Sequence, residues 1–496
     1  MLPSDAEGNT GVMTRSPLVP ASVQEQARIS AARISHTDIA PPKDDRRDIV
    51  RPPGPSGFAL TSRFLTGRDV LGFFDDLAAD HPRIAHLRLP GEHIYLLNDP
   101  ALIVEVMHVH GRDTMKGRGL QGAKAVLGNG LLTSEGEVHL RQRRLVQPAF
   151  HRERIHGYAE SMIDAAARRS AEWQDGSEFD ISDDMASLTF EIVGRTLFGA
   201  DLRDDAAEVG AALDVVLGGL GQRLILGPSV LRIPSRKRSE ALAASARLDA
   251  VVQRMIDDHR AHGGDSDMLG MLISSAEDGE HMTDQQVRDE AMTLVLAGHE
   301  TTAMALSWAW LLLAQHPAQR AWLEEELDAV LSDRDPRPED YLDLPRTRAV
   351  IAETLRLYPP AWIMGRRLLT DVRLDDWLVP AGAITLASPW VTHRDHRWWS
   401  HARAFMPERW LDADGRFDES APGQPRGSWF PFGWGNRRCI GEAFAWMEAT
   451  LVLATLARSW HAELIPGRAI TPTPAVTLRP EPGIWMRLSE RHPANS

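Results

Sequence analysis

The longest apolar stretch of the sequence, AMTLVLAGHETTAMALSWAWLLLA, decides between a membrane protein and a protein with a large buried core. It runs for about 24 residues from Ala291 to Ala314, and roughly 20 apolar residues suffice to cross a bilayer. Its centre, however, places a histidine, an acid and two threonines where hydrocarbon would be deepest, and such groups are costly there. The stretch therefore predicts a buried central helix and no membrane span.

This helix has a recognisable start. Thr283 and Gln286 have the spacing of a capping box just before the apolar run. From Asp284 to about Gln315 the helix would measure about 48 Å, the width of a large domain. Helical periodicity dominates elsewhere, and strand-like pieces occur at 93–97, 372–384 and 476–486. The predicted fold is mainly α with small β-sheets.

Charge and cysteine content exclude several classes of protein. The 496-residue chain has a formal charge of −14, which argues against a general nucleic-acid binder, because phosphate neutralisation needs clustered Lys and Arg. Its one cysteine allows no internal disulfide and no zinc site made of several thiolates. A reducing, cytoplasmic location is the expectation.

The first fifty residues are rich in Pro, Ser, Ala and charge, and they show no apolar periodicity. They are predicted to be a mobile tail (1–50) without a signal peptide or membrane anchor. A transit peptide is a less favoured alternative, because acidic residues interrupt the basic composition that it needs. Order is expected to begin at the proline-rich RPPGPSG, and 51–496 are predicted to form one domain.

The single cysteine, Cys439, lies in FGWGNRRCIG. A lone buried cysteine is most often a small core residue. Here three glycines leave room for a flat cofactor near the backbone and let N–H groups turn toward a thiolate. Arg437 adds positive charge, which favours the thiolate or pairs with an anionic group of the cofactor. An iron porphyrin meets both conditions, since it offers a metal to the sulfur and carboxylates to the arginine.

The same stretch resembles the F-x-x-G-x-R-x-C-x-G haem-binding signature of the cytochrome P450 superfamily. The five fixed places are occupied by Phe432, Gly435, Arg437, Cys439 and Gly441. The resemblance implies a bacterial-type haem-thiolate monooxygenase with haem b bound through Cys439. It also implies the cytochrome P450 fold, in which the long central helix crosses over the haem, from about residue 51 to the C-terminus.

The central helix carries AGHETT, which is similar to the oxygen-binding motif of that family. In this role Ala297 and Gly298 leave room for O2 near the haem, and hydroxyls that divert helical hydrogen bonds open a kink. Thr301 donates a hydrogen bond at the oxygen site, and Glu300 connects the site to solvent protons. The residues alone also allow the Thr301 hydroxyl to bond the carbonyl four residues earlier.

ETLRLYPP resembles the E-x-x-R helix of the family. Taken alone, Glu353 and Arg356 at i, i+3 are most commonly a surface ion pair worth ~0.3–0.5 kcal/mol. The resemblance adds Arg409 of PERW and implies a partly buried structural triad that braces the fold behind the cysteine.

HLRQRRLVQPAF resembles the helix whose aromatic residue and arginine hold a haem propionate, with His139 and Arg143 in these two roles. His139 departs from the commoner tryptophan, and donation of its N–H depends on pH. In IMGRR, Arg366 stands where the family places another propionate ligand, and its neighbour Arg367 leaves the register open.

Electrons must come from other proteins, because the chain has no room after the haem domain for a flavin or iron–sulfur domain. The resemblance implies a ferredoxin or flavodoxin with its reductase. A basic patch on the cysteine side would steer such an acidic partner, and an ordinary solvated face is the alternative. The candidate members of this patch are Arg141, Arg143, Arg144, Arg152, Arg154, Arg437 and Arg438.

The substrate pocket is expected to include Trp362, Ile363, Met364, Ala297 and parts of 117–134 and 215–231. These residues are mainly aliphatic with no evident charged anchor, so an apolar substrate is predicted. The resemblance implies hydroxylation or epoxidation of a terpenoid, fatty acyl or polyketide compound of secondary metabolism. Haem-thiolate chemistry without net oxygen insertion, and a non-catalytic haem sensor or carrier, are the open alternatives.

Overall fold

The computed structural model describes residues 51–55, 69–89, 92–202, 208–212, 215, 236–262, 267–274, 276–277, 280–420 and 423–491. The predicted N-terminal tail lies outside these residues, as does nearly all of the candidate pocket segment 215–231. The boundary at residue 50 therefore stays a prediction.

Helices make up most of the regular structure, which confirms the predicted fold class. In the described chain they are α1 (Val70–Asp80), α2 (Pro100–Val104), α3 (Arg118–Leu127), α4 (Gly136–Val146), α5 (Arg152–Glu172), α6 (Ile181–Phe198), α7 (Arg236–His262), α8 (Met268–Ser274), α9 (Asp284–Gln315), α10 (Pro317–Leu331), α11 (Pro345–Leu357), α12 (Pro389–Thr392) and α13 (Glu442–Ser459).

The strands are short. They are β1 (Ile84–Leu89), β2 (Glu92–Leu97), β3 (Thr114–Lys116), β4 (Glu178–Asp180), β5 (Ala276–Glu277), β6 (Glu280–His281), β7 (Met364–Leu368), β8 (Val372–Leu374), β9 (Trp377–Val379), β10 (Ile384–Ala387), β11 (Trp460–Leu464), β12 (Thr471–Pro474), β13 (Leu478–Glu481) and β14 (Trp485–Glu490). The larger sheet has the order β1-β2-β10-β7-β3, with β10 parallel to β2 and antiparallel to β7. A three-stranded sheet, β11-β14-β4, and three two-stranded ribbons complete the set.

The apolar stretch forms the central helix α9, which is continuous over the predicted span. Both halves of the predicted capping box are present, because Gln286 N donates to Thr283 Oγ1 at 3.2 Å and Thr283 N donates to Gln286 Oε1 at 2.8 Å. The helix packs against α6, α11 and α13, and most of its side chains are buried. Among the residues that the structure describes, no helix is long and apolar enough to cross a membrane.

Gly298 contributes to the packing of two helices. A Cβ at this position would lie 3.1 Å from Cγ2 of Val193 on α6, a distance tighter than ordinary van der Waals contact. The missing side chain lets α6 approach α9, while the predicted role of Gly298 in leaving room for O2 stays a prediction. Glycine at this position therefore allows α6 to pack closely against α9.

Candidate active site

The cysteine loop, residues 430–441, is shaped by its own backbone. Cys439 N donates to the carbonyl of Phe432 at 2.8 Å, which closes the loop around the sulfur. Gly433 and Gly435 have φ values of 75° and 68°, a region that side chains disfavour. A Cβ on Gly435 would stand 2.2 Å from the carbonyl oxygen of Met107, so only glycine fits there. Glycine is thus required at this position for packing against the backbone of Met107, while the predicted approach of a cofactor to the loop stays a prediction.

The Cys439 thiol needs a cation to ionise. Burial raises its pKa to about 11, and the charge of Glu442 adds to the increase. The N–H of Gly441 and the guanidinium of Arg143 act in the opposite direction without reversing it. Its side chain is nevertheless accessible. Because a metal ion deprotonates a coordinating thiol outright, this environment suits a metal ligand better than a free nucleophile.

Helix α4 brings Arg143 to the cysteine loop. Its Nη1 donates to the carbonyl of Arg438 at 2.9 Å, directly before the cysteine. Arg143 and Cys439 are close enough for their charges to interact. The predicted proximity of Arg143 to the haem site is therefore present, while its grip on a propionate remains a prediction.

His139 is buried on α4, and its two ring nitrogens have different surroundings. Nδ1 lies 3.2 Å from the carbonyl oxygen of Leu131. Because a carbonyl only accepts, this contact assigns the proton to Nδ1, and a neutral ring then presents Nε2 as an acceptor. Burial, assisted by Lys116 and Arg437, lowers the pKa of His139 to about 3. Donation to a propionate therefore requires a second ring proton, which a neighbouring carboxylate would favour.

Three largely buried cations, here called the cationic cluster, lie beside the cysteine loop: Lys116 of β3, Arg366 of β7 and Arg437 of the loop itself. Lys116 Nζ donates to two carbonyls, at 2.8 and 2.6 Å. Burial lowers the pKa of Lys116 to about 7, and the charges of Arg437 and Arg366 act in the same direction. Lys116 was not predictable from the sequence, because it stands outside any motif.

Strand β7 separates its two arginines, since side chains alternate between the faces of a sheet. Arg367 pairs with Glu92 at 3.0 Å and donates to the carbonyl of Gly382 at 2.6 Å. Arg366 is buried beside Arg437, and its burial, together with that charge, lowers its pKa to about 10. The structure thus brings Arg366, and not Arg367, into the cationic cluster.

The cationic cluster fits the two propionates of a haem. One carboxylate of the described chain, Glu135, exerts its charge on all three cations. Two buried atoms, Arg437 Nη1 and His139 Nε2, have no hydrogen-bond partner among the described residues. Buried polar atoms are normally paired, so both indicate a further group at this place, and the unpaired N–H groups of Arg437 Nη1 indicate an anionic one. These residues would hold the propionates while Cys439 binds the iron.

The middle of α9 has one open face. Ala297 is exposed and Thr301, one turn later, is half-buried, although their neighbours on the helix are largely buried. Thr301 Oγ1 donates to the carbonyl of Ala297 at 2.7 Å, which is the second of the two arrangements that the sequence allowed. The hydroxyl oxygen still has acceptor capacity on this face.

Glu300 is held by the strand region near the C-terminus. Its Oε1 accepts from Thr477 Oγ1 at 2.5 Å and from Arg479 Nε at 2.7 Å, and Arg479 Nη2 lies 2.6 Å away. The carboxylate is buried, whereas the Arg479 side chain is 27% exposed. The predicted connection from Glu300 to solvent would therefore run past Arg479, a residue that no sequence motif indicated.

The predicted triad is assembled and is more deeply buried than expected. Glu353 Oε1 lies 2.7 Å from Arg356 Nη2 and 3.2 Å from Arg409 Nε. The side chains of Glu353 and Arg356 are fully buried, not partly exposed. Trp410 Nε1 donates to the other carboxylate oxygen at 2.9 Å, adding a fourth member. The commoner surface ion pair is excluded by this burial.

His393 connects the triad to the cysteine loop and was not predicted. Its carbonyl accepts from Arg356 Nη1 at 2.8 Å, and its Nε2 accepts from Phe430 N at 3.0 Å. Burial lowers the pKa of His393 to about 3, so the ring stays neutral and can accept. A short path of hydrogen bonds thus runs from Arg356 to the start of the loop that carries the sulfur.

The predicted pocket residues take different positions. Trp362 is buried, packs on Phe74 with ring centroids 6.0 Å apart, and donates to the carbonyl of Ala475 at 3.0 Å. It packs in the core, and its predicted place in the pocket lining stays a prediction. Met364 Sδ lies 3.5 Å from where a Cβ of Gly433 would stand, beside the cysteine loop. Ile363 is half-buried.

Comparison with known proteins agrees with this geometry. The sequence model of the family Cytochrome P450 matches residues 52–487. Cyclooctatin synthase from Streptomyces melanosporofaciens is 40% identical over 440 residues, which cover 86% of this chain and 93% of the relative. Cyclooctat-9-en-7-ol 5-monooxygenase from the same organism is 35% identical over 409 residues, covering 81% and 87%. Pentalenene oxygenase from Streptomyces avermitilis is 33% identical over 432 residues, covering 86% and 94%.

The family match spans the cysteine loop, the triad, α9 and the cationic cluster. The chain therefore belongs to the cytochrome P450 family, and it is a haem b monooxygenase that uses O2 to oxygenate an apolar substrate.

Proposed function

We propose that the substrate is a terpenoid, either a hydrocarbon or a lightly oxygenated alcohol. The observation that carries this proposal is the open face of α9, formed by a methyl group and a hydroxyl at Ala297 and Thr301. No charged side chain of α9 lies on this face, because Glu300 is buried against Arg479. The names of two relatives, which refer to pentalenene and cyclooctat-9-en-7-ol, support a substrate of this kind over a fatty acyl chain or a polyketide.

A bound haem would activate O2, of which one oxygen atom enters the substrate while the other is reduced to water by two electrons and two protons. The chain supplies the surroundings of that reaction. We infer that Ala297 gives the substrate room to approach and that Thr301 holds a proton at its hydroxyl beside the oxygen site. Glu300, fixed by Thr477 and Arg479, would restore that proton from the solvent side.

A substrate panel tests this proposal. Holoprotein whose thiolate ligation has been verified with carbon monoxide is titrated with cyclic terpenes and terpene alcohols, fatty acids and macrolide-like compounds. Terpenoids are expected to displace the distal water and shift the spectrum from low to high spin at micromolar concentration. With a terpenoid that binds, Thr301→Ala should show the same shift but release more peroxide per electron. A shift with fatty acids or macrolides alone would contradict the proposal.

We propose further that a ferredoxin or flavodoxin, kept reduced by its reductase in the cytoplasm, docks over α4. Two members of the predicted basic patch point inward, since Arg143 bonds the cysteine loop and Arg437 pairs with Glu135. Arg144 is exposed and Arg141 half-buried on the same helix. Val138 and Leu140 of the same helix are 43% and 40% exposed. Exposed apolar and basic residues on one helix suit a transient acidic partner.

Neutralising Arg141 and Arg144 is expected to slow the reduction of the haem iron by its redox partner. Arg141→Gln combined with Arg144→Gln should lower the second-order rate of reduction by a ferredoxin about tenfold at low salt, because two charges less weaken steering. Stopped-flow reduction under carbon monoxide measures this rate. The control is Arg88→Gln with Arg373→Gln, two exposed arginines of β1 and β8, which make the same change in net charge. Equal rates for both double variants would contradict docking on α4.

A further inference from the structure

Glu135 is an acidic residue in contact with the cationic cluster, whose other members would bind anionic groups. It stands directly before α4, and its side chain is 18% exposed. Oε2 pairs with Arg437 Nη2 at 2.5 Å. Oε1 accepts from the backbone N–H of Lys116 at 2.7 Å and from Gln121 Nε2 at 3.1 Å. The carboxylate is thus fixed from three sides.

Its partner Arg437 is the arginine of the haem-binding signature. One nitrogen of this guanidinium, Nη2, is occupied by Glu135, and the other, Nη1, is buried without a partner among the described residues. A guanidinium presents its N–H groups in a fixed fork, so it can serve two carboxylates at once. Arg437 is placed to be shared between Glu135 and a haem propionate.

The charge of Glu135 reaches the whole cationic cluster. Its negative charge opposes the lowering of the pKa values of Lys116 and Arg366 by burial, and its Oε2 contacts Arg437 directly. In a partly buried site such interactions are screened less than at the surface. A haem bound at this cluster would be subject to the same electrostatic field of the Glu135 carboxylate.

We propose that Glu135 is a fixed negative charge of the haem site that lowers the reduction potential of the iron. Reduction adds one electron, so a nearby negative charge favours the ferric state. By occupying part of Arg437, Glu135 also leaves the propionates less neutralised, which acts in the same direction. This inference rests on haem binding by the family and concerns only the reduction potential of the haem iron.

The alternative role is purely structural, since Glu135 also joins β3, α3 and α4 through its hydrogen bonds. Glu135→Gln separates the two roles. Its amide oxygen can still accept from Lys116 N, while the charge is lost. A structural role affects stability and haem content, whereas charge affects the potential even in intact holoprotein.

The experiment is a spectroelectrochemical titration of substrate-free, low-spin holoprotein, with thiolate ligation verified by carbon monoxide. Glu135→Gln and Glu135→Ala should both shift the midpoint potential upward, and Glu135→Asp, which keeps the charge, should stay closer to the wild type. Glu137→Gln is the matched control, because Glu137 is exposed in the first turn of α4, two residues away, and its substitution removes the same charge. It should leave the potential unchanged.

Two results would overturn the proposal. One is an unchanged or lower potential in both neutral variants with the thiolate signal intact, which would leave Glu135 a structural residue. The other is an equal upward shift in Glu137→Gln, which would mean that net charge, and not the contact with Arg437, sets the potential. Failure of haem binding itself would show separately, as loss of the carbon monoxide signal in the wild type.

Discussion

Arg356→Ala is expected to abolish haem incorporation and to lower the free energy of unfolding by about 3–5 kcal/mol, because it leaves a buried carboxylate without its partner. Arg356 Nε and Nη2 donate to Glu353 at 2.8 and 2.7 Å. It also donates to the carbonyls of His393, Ala402 and Ala404 at 2.7–2.9 Å. Since total stability is typically about 5–15 kcal/mol, this loss is a large share of it.

Urea unfolding followed by circular dichroism, together with the carbon monoxide spectrum of the expressed protein, measures this effect. Arg356→Lys should rescue little, because an ammonium cannot reproduce the planar fork. The matched control is Arg487→Ala, which removes an exposed arginine bonded to Glu178 across β14 and β4 and should cost less than about 1 kcal/mol. Similar losses in both alanine variants would contradict the argument from burial.

Glu448→Gln is expected to make the protein more stable at pH 8 by several kcal/mol and to leave it nearly unchanged at pH 5. Glu448 is fully buried on α13, and burial raises its pKa from 4.5 to about 8, with Thr302 of α9 weakly opposing. Between pH 4.5 and 8 the folded state keeps a proton that the unfolded state has lost. The stabilising contribution is therefore complete below pH 4.5 and is lost as pH rises through 8, by roughly 4 kcal/mol.

The measurement compares the free energy of unfolding of wild type and Glu448→Gln at several pH values. Burial also raises the pKa values of Glu290 and Glu326. Both residues titrate in wild type and variant alike, so their contributions cancel in the difference between the two free energies of unfolding. Glu463→Gln on β11, where the side chain is exposed, should follow the wild-type curve. Parallel curves for wild type and Glu448→Gln would contradict a buried neutral carboxyl at this position.

Much of the site was predictable because its signals are local. The glycines, arginine and cysteine of FGWGNRRCIG stand within ten residues, and their spacing carries the chemistry of a metal-bound thiolate. The capping box and the polar centre of α9 follow from helical spacing alone, which is why its limits were predicted correctly. The pairing of Glu353 with Arg356 likewise needs only one turn of helix.

Contacts between distant segments were not predictable in this way. Glu135 and Arg437 are 302 residues apart, and Glu300 and Arg479 are 179 apart, so no pattern in either segment indicates the partner. Trp362 illustrates the same limit, since the position after a Pro-Pro turn gave no hint of its packing on Phe74.

The sequence by itself predicted the thiolate ligand and determined the central helix and the family, because each depends on residues within a few turns of one another. Only the tertiary structure decided which arginine of β7 joins Arg437, how deeply the triad is buried, and that an acid stands among the cations. The burial of a residue and the charges around it depend on several segments that are distant in sequence and packed together in the fold. Its pKa and its hydrogen-bond partners therefore depend on the tertiary structure.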